Sequence, residues 1–172
     1  MLKLSGVALI LAGACGLGMH EGQEIAGRVE EWRNLLQMAE LLKGELRCDN
    51  AALPEAFEAA SLRMDGNYRD FLRAVSEELR KHTGKPVDVI IRECVGKYFR
   101  VSYMRTEEKR ELILLGKHLG YLDLAVQIRQ IEMFEDQIRQ KIQKAQNSME
   151  EKKRIFWRLG ILGGFFLVIL MW

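Results

Sequence analysis

Three histidines, three cysteines and the acidic side chains are what this chain could do chemistry with. The histidines are His20, His82 and His118, and none stands four residues from a second histidine, as a helical zinc motif requires. His20 falls at the edge of an apolar run. His82 and His118 fall near expected helix ends, where a cation is favoured. Cys15, Cys48 and Cys94 are widely separated and odd in number. They form no metal spacing and no paired framework, and read as free thiols in a reducing compartment. Acidic pairs recur at Glu30-Glu31, Glu77-Glu78, Glu107-Glu108 and Glu150-Glu151. Neighbours on a helix point about 100° apart, so these pairs do not converge as an acid and a base and read as solvated faces. No phosphate loop, nucleophile elbow or dinucleotide fingerprint occurs. The expectation is a protein that is not an enzyme, with no cofactor, no metal and no small-molecule substrate. One polar cluster stands out, Gly116, Gly120, Asp123 and Gln127. Asp123 and Gln127 are four apart and share a helix face. The cluster reads either as a helix cap with a packing contact or as a docking surface.

The elements that must position this cluster are helical. Pro54 and Pro86 are the two prolines in a chain rich in helix formers. Ile25, Val29, Trp32, Leu36, Ala39, Leu42 and Leu46 fall three or four apart and predict a long first helix. Cys48-Asp-Asn50 predicts a turn. Leu53-Pro-Glu-Ala begins a short helix with Pro54 in its first turn, where a missing N–H costs nothing. After a turn at Met64-Asp-Gly-Asn67, the residues Tyr68, Phe71, Leu72, Val75 and Leu79 predict another helix ending near Thr83-Gly84. Pro86 opens the next, with Val87, Ile90, Ile91, Cys94 and Val95 inward; a buried strand over 87–91 would have no partner. Thr106 is expected to cap a helix with Glu107 and Glu108 in its first turn, Leu112, Leu115 and Leu119 inward, and Gly120 at its C-terminus. Asp123 then caps a last, longest helix striped by Ile128, Ile131, Phe134 or Glu135, Ile138, Ile142, Ala145 and Met149. The fold class is all-α, a small bundle of about six helices.

Charge divides the chain. All 24 Asp and Glu lie between Glu21 and Glu151, and every Lys and Arg but Lys3 lies between Arg28 and Arg158. The organisation is therefore an apolar segment over 1–20, a bundle domain over 21–154 and an apolar segment over 155–172. The net charge of +2, with both signs interspersed, argues against nucleic acid as a partner. The C-terminal run carries no charge after Arg158, is bracketed by Trp157 and Trp172, and reads as a transmembrane helix of minimal length. The N-terminal run Leu4–Met19 has small residues four apart, at Ala8, Ala12 and Gly16, and reads as an uncleaved anchor. A cleaved signal, or a lipoprotein-type segment ending at Cys15, is the alternative there. Lys152, Lys153, Arg154 and Arg158 precede the last run and no cation follows it. By the positive-inside rule the bundle is then cytoplasmic.

Leu114-Leu-Gly-Lys-His-Leu-Gly-Tyr-Leu-Asp-Leu-Ala-Val-Gln127, the long helix after it, and Leu159-Gly160 opening Leu-Gly-Ile-Leu-Gly-Gly together resemble the stage III sporulation protein AB family of endospore-forming bacteria. Leu53-Pro-Glu-Ala-Phe57 fits as well, and the resemblance spans essentially the whole chain. It implies likeness to the platform proteins of type II secretion and type IV pilus machines. It also implies a place in the mother-cell membrane around the forespore, within a multi-protein channel linking the two cells. The partners it implies are the membrane, a secretion-type cytoplasmic ATPase and other channel subunits. The residues expected to build the structural or docking motif are Leu53, Pro54, Gly116, Gly120, Asp123, Gln127, Leu159 and Gly160. A two-span sensory bundle, which would need an output domain beyond the second span, and a lipid-anchored helical binding protein are the alternatives.

Overall fold

The computed structural model describes residues 25–47, 51–120 and 123–171, with backbone alone for 149–171. The segment 1–20 and the turn expected at Cys48-Asp-Asn50 lie outside the described residues. Those residues form six helices and no strand. They are α1 (25–47), α2 (Leu53–Ser61), α3 (Gly66–Arg80), α4 (Val87–Tyr98), α5 (Thr106–Leu119) and α6 (Leu124–Met171). The residues from 87 to 91 are helical, as the lack of a strand partner requires.

Proline and polar signals set most of the boundaries. Pro54 stands in the first turn of α2 and Pro86 immediately precedes α4. α3 starts at Gly66, so the turn expected through Asn67 is two residues shorter than its composition suggests. At α5, Arg105 rather than Thr106 is the N-cap. The Glu108 carboxylate takes the Arg105 backbone N–H at 2.6 Å, so the satisfied donor is met from inside the helix and Thr106 is its first helical residue.

Helices α2 to α5 pack in chain order, each against the next, and α6 returns along α5. Their core is apolar. Phe57, Phe71, Phe99, Leu72, Ile91 and Leu112 are fully buried. The Phe99 ring sits 4.8 Å from Tyr68 and 5.2 Å from Phe71, in edge and tilted geometries that aromatic pairs prefer. Gly116 permits the close approach of α5 to α4, since a Cβ there would lie 2.6 Å from Ile91 Cδ1.

Helices α1 and α6 run antiparallel. Glu40 pairs with Arg139 at 2.7 Å, Lys43 with Glu135 at 2.6 Å and Arg47 with Glu132 at 3.0 Å, so α6 numbers fall as α1 numbers rise. The α1 stripe buries Val29, Trp32, Ala39, Leu42 and Leu46 as expected. Leu35 and Met38 are buried more deeply than Leu36, because α1 is covered on two sides and its apolar face is wider than one row. On α6 the inward face holds Ile131, Phe134, Glu135 and Ile138. α6 comprises 48 residues, about 70 Å of continuous helix. Among the described residues no helix is long and apolar enough to cross a membrane. The apolar run 155–172 has no described side chains, and the run 1–20 is not described.

Candidate functional site

Of the four residues Gly116, Gly120, Asp123 and Gln127, the last two meet at the α5–α6 joint and the two glycines face α4. Asp123 Oδ1 accepts the Ala125 backbone N–H at 2.9 Å, which makes Asp123 the cap of α6. Gln127 Nε2 donates to the Leu119 carbonyl at 2.9 Å, satisfying one of the last orphan acceptors of α5 and tying the two helices at the joint. Gly120 is not a left-handed cap, since its φ is −72°. It lies against α4, where a Cβ would stand 3.5 Å from Val87 Cγ2. Leu53 and Pro54 sit at another corner. The Pro54 carbonyl accepts the Ser76 hydroxyl at 2.8 Å, pinning α2 to α3, and Leu53 packs partly buried against the core. Leu159, Gly160, Lys152, Lys153, Arg154 and Arg158 lie on α6 beyond its described side chains.

Beside the joint, α5 and α6 leave a shallow groove of about 190 Å³ lined by Leu114, Leu115, His118, Gln130, Met133 and Phe134 among others. Leu114 and Met133, on its two walls, are each about half exposed. These are large apolar side chains facing each other across one groove, a pattern that marks a contact surface.

The most ordered polar site is one that charge patterning does not reveal. Glu108 is buried, not solvated as its acidic pair suggested. One carboxylate oxygen accepts Arg28 at 2.9 Å and the Trp32 indole N–H at 2.9 Å, both from α1. The other accepts the α5 cap N–H already described. The Arg28 guanidinium also lies over the Trp32 ring, 4.9 Å from its centre. Burial alone would raise the Glu108 carboxyl. The hydrogen bonds from Arg28, Arg105 and Trp32 outweigh it and hold the group below the ordinary carboxylate value. Lys43 and Glu135 form a second inward pair, with Glu135 almost fully buried. Glu31 accepts the Tyr68 hydroxyl at 2.6 Å, and burial followed by the Glu31 carboxylate keeps that phenol far above its usual range. A signal for the first site exists in retrospect: an inward Trp32 brings an indole N–H that must find an acceptor.

These polar groups are paired for structure. Glu108 is committed to Arg28, Trp32 and the Arg105 N–H, Glu135 holds Lys43 through one oxygen, and Glu31 accepts the Tyr68 hydroxyl. Among the described residues no three His, Cys, Asp or Glu side chains are placed to hold a metal ion. Cys94 is a buried free thiol that burial, then Glu78 and Glu93, pushes up to about 11, so it is not a reactive thiolate. Cys15 and Cys48 lie outside the described residues.

What the geometry defines is an all-helical bundle whose first and last helices are stitched antiparallel and which leaves an apolar groove open between its last two helices. Residues 3–172 match the family model described as stage III sporulation protein AB. The chain belongs to that family, and is therefore a sporulation protein. A solved structure titled "Stage III sporulation protein AB (SpoIIIAB)" is similar in fold, with a TM-score of 0.64 and 17% identity, over 73% of this chain and 98% of that one. No curated protein matches the chain significantly.

Proposed function

We propose that the chain is a non-enzymatic platform subunit of a sporulation-specific, secretion-like channel between mother cell and forespore. It is anchored in the mother-cell membrane by the segments 1–20 and 155–172, with the bundle in the cytoplasm. The observation that carries this reading is the antiparallel register of α1 and α6. Glu40–Arg139, Lys43–Glu135 and Arg47–Glu132 set the two helices side by side, so the start of α1 and the 145–155 stretch of α6 share one end of the bundle. The apolar segments adjoin these two places in the sequence and would enter the bilayer together. Lys152, Lys153, Arg154 and Arg158 mark the cytoplasmic boundary by the positive-inside rule. The role is mechanical: the bundle stands at a fixed height above the membrane and presents a surface to other subunits.

The surface best suited to a secretion-type ATPase or another channel subunit is the α5–α6 groove with its neighbouring joint. It combines exposed Leu114 and Met133 with a backbone fixed by Asp123 and Gln127. Because both apolar residues are half exposed, aspartate at either position leaves the core intact. In detergent extracts of sporulating cells, Leu114→Asp with Met133→Asp is expected to abolish co-purification of the ATPase while the helical circular dichroism is retained. Undiminished co-purification would remove this groove as the docking surface.

A further inference from the structure

We infer that the loop between α4 and α5 dips into the headgroup layer of an anionic bilayer and makes a third point of membrane contact. The inference rests on the anchored reading above and adds to it a lipid-facing surface on the bundle itself.

The loop holds two of the most exposed large apolar side chains among the described residues, Val101 at 88% and Tyr103 at 56%. It is not a free tail. Phe99 at its start is fully buried against Tyr68 and Phe71, and Ser102 accepts the Met104 backbone N–H at 3.3 Å. Tyr103 lies flat against α1 at Gly27, where a Cβ would come within 2.7 Å of the ring. A bundle that buries Phe99 and Met104 yet holds Val101 outward has fixed that side chain in water. Tyrosine, with an apolar ring and a polar tip, is a residue suited to a membrane–water boundary.

The position along the bundle is what selects a bilayer over a protein partner. Tyr103 contacts Gly27, and Arg105 lines a cavity of about 630 Å³ together with Ile25, Arg28, Lys144 and Ser148. The loop is therefore level with the first described turn of α1 and the last described side chains of α6, the end from which both apolar segments would leave. The charge fits as well. Arg100 and Arg105 flank the two apolar residues and are exposed, and exposed Lys144 stands on the same rim. Among the described residues Glu107 is the exposed carboxylate there, while Glu108 and Glu111 are paired with Arg28 and Lys141. Cations beside a short apolar wedge are the composition that anionic lipid headgroups attract.

Met133 supplies an internal control. It is half exposed, and its neighbour Glu132 pairs with Arg47, about 30 Å along α1 from Gly27. The test uses the full chain with Cys15→Ser and Cys48→Ser, reconstituted in phosphatidylcholine–phosphatidylglycerol vesicles. An environment-sensitive fluorophore is placed by Val101→Cys or, separately, by Met133→Cys. Nitroxide-bearing lipids are expected to quench the label at 101 and leave the label at 133 unquenched. Adding Arg100→Glu and Arg105→Glu should cut the quenching at 101 in these vesicles but not in pure phosphatidylcholine. If the chain floats with the vesicles while the label at 101 stays unquenched, the loop contact is wrong and the anchored reading survives. If the chain does not float with the vesicles, the anchored reading fails and this contact with it. Quenching at 133 rather than 101 would invert the bundle and overturn the inference.

Discussion

The bundle has two halves that are held by different forces. Helices α2, α3 and α4 meet through an apolar interior of Phe57, Phe71, Leu72, Ile91 and Phe99, with ring contacts among the aromatics. Helix α1 is held to α5 and α6 by apolar contact too, but also by inward charge: Arg28 and Trp32 on Glu108, and Lys43 on Glu135. Burial of apolar area is strong but non-directional, so it specifies register less sharply than a paired charge does. An inward ion pair is a weak net source of stability but leaves an uncompensated charge if it is broken. The polar half therefore sets register, and the apolar half supplies most of the cohesion. That division suits a protein whose first and last helices must stay aligned.

The largest loss of stability is expected in the apolar half. Phe71→Ala empties a fully buried site and is expected to cost about 3–5 kcal/mol. In thermal unfolding followed by circular dichroism in detergent, this corresponds to a fall of about 10 °C. A loss under 1 kcal/mol would mean that α2–α4 are not the cohesive half.

A smaller effect is expected in the polar half. Glu108→Gln keeps the shape but leaves Arg28 without its counter-charge, at a cost of about 3 kcal/mol, reduced because Arg28 keeps some exposure. The same variant sharpens the pH dependence. Glu108 titrates below its ordinary value in the folded chain. Its contribution is therefore full at neutral pH, above the unfolded value, and is lost as the pH falls through the folded one. Wild type should lose more stability than Glu108→Gln between neutral pH and about pH 3. Parallel acid limbs for the two would show that Glu108 is not the linked group.

Much of the fold was legible because helix signals are local. Pro54, Pro86 and Asp123 mark helix starts through backbone constraints that depend on one or two residues, and the apolar stripes follow the 3.6-residue period. The capping of α6 by Asp123 is legible for the same reason, whereas the packing of Gly116 and Gly120 on α4 is not. The carboxylates were not. Glu108 and Glu135 look like solvated residues in sequence, and their burial is decided by Arg28, Trp32 and Lys43, 92 positions away in the case of Lys43 and Glu135. Glu135 was an open choice with Phe134 in the α6 stripe, and both proved to be buried. Gly120 ends α5 as its spacing implies, and what the local sequence does not show is that it does so with an ordinary negative φ and lies against Val87. Val101 and Tyr103 carry no periodic signal, so only the packed positions of Phe99 and Gly27 show where they face.

The central claim is that both ends of the chain enter one membrane beside each other and leave the bundle in the cytoplasm. It is tested most directly by cysteine accessibility in intact cells, in the full chain with Cys15→Ser and Cys48→Ser. Asn67 is exposed in the bundle and Trp172 lies at the far end of the last apolar run. With a membrane-impermeant maleimide, Trp172→Cys should label in intact non-sporulating cells that express the chain, where the far side of its membrane faces the medium, and Asn67→Cys should label only after lysis. Labelling of Asn67→Cys from outside would contradict the account.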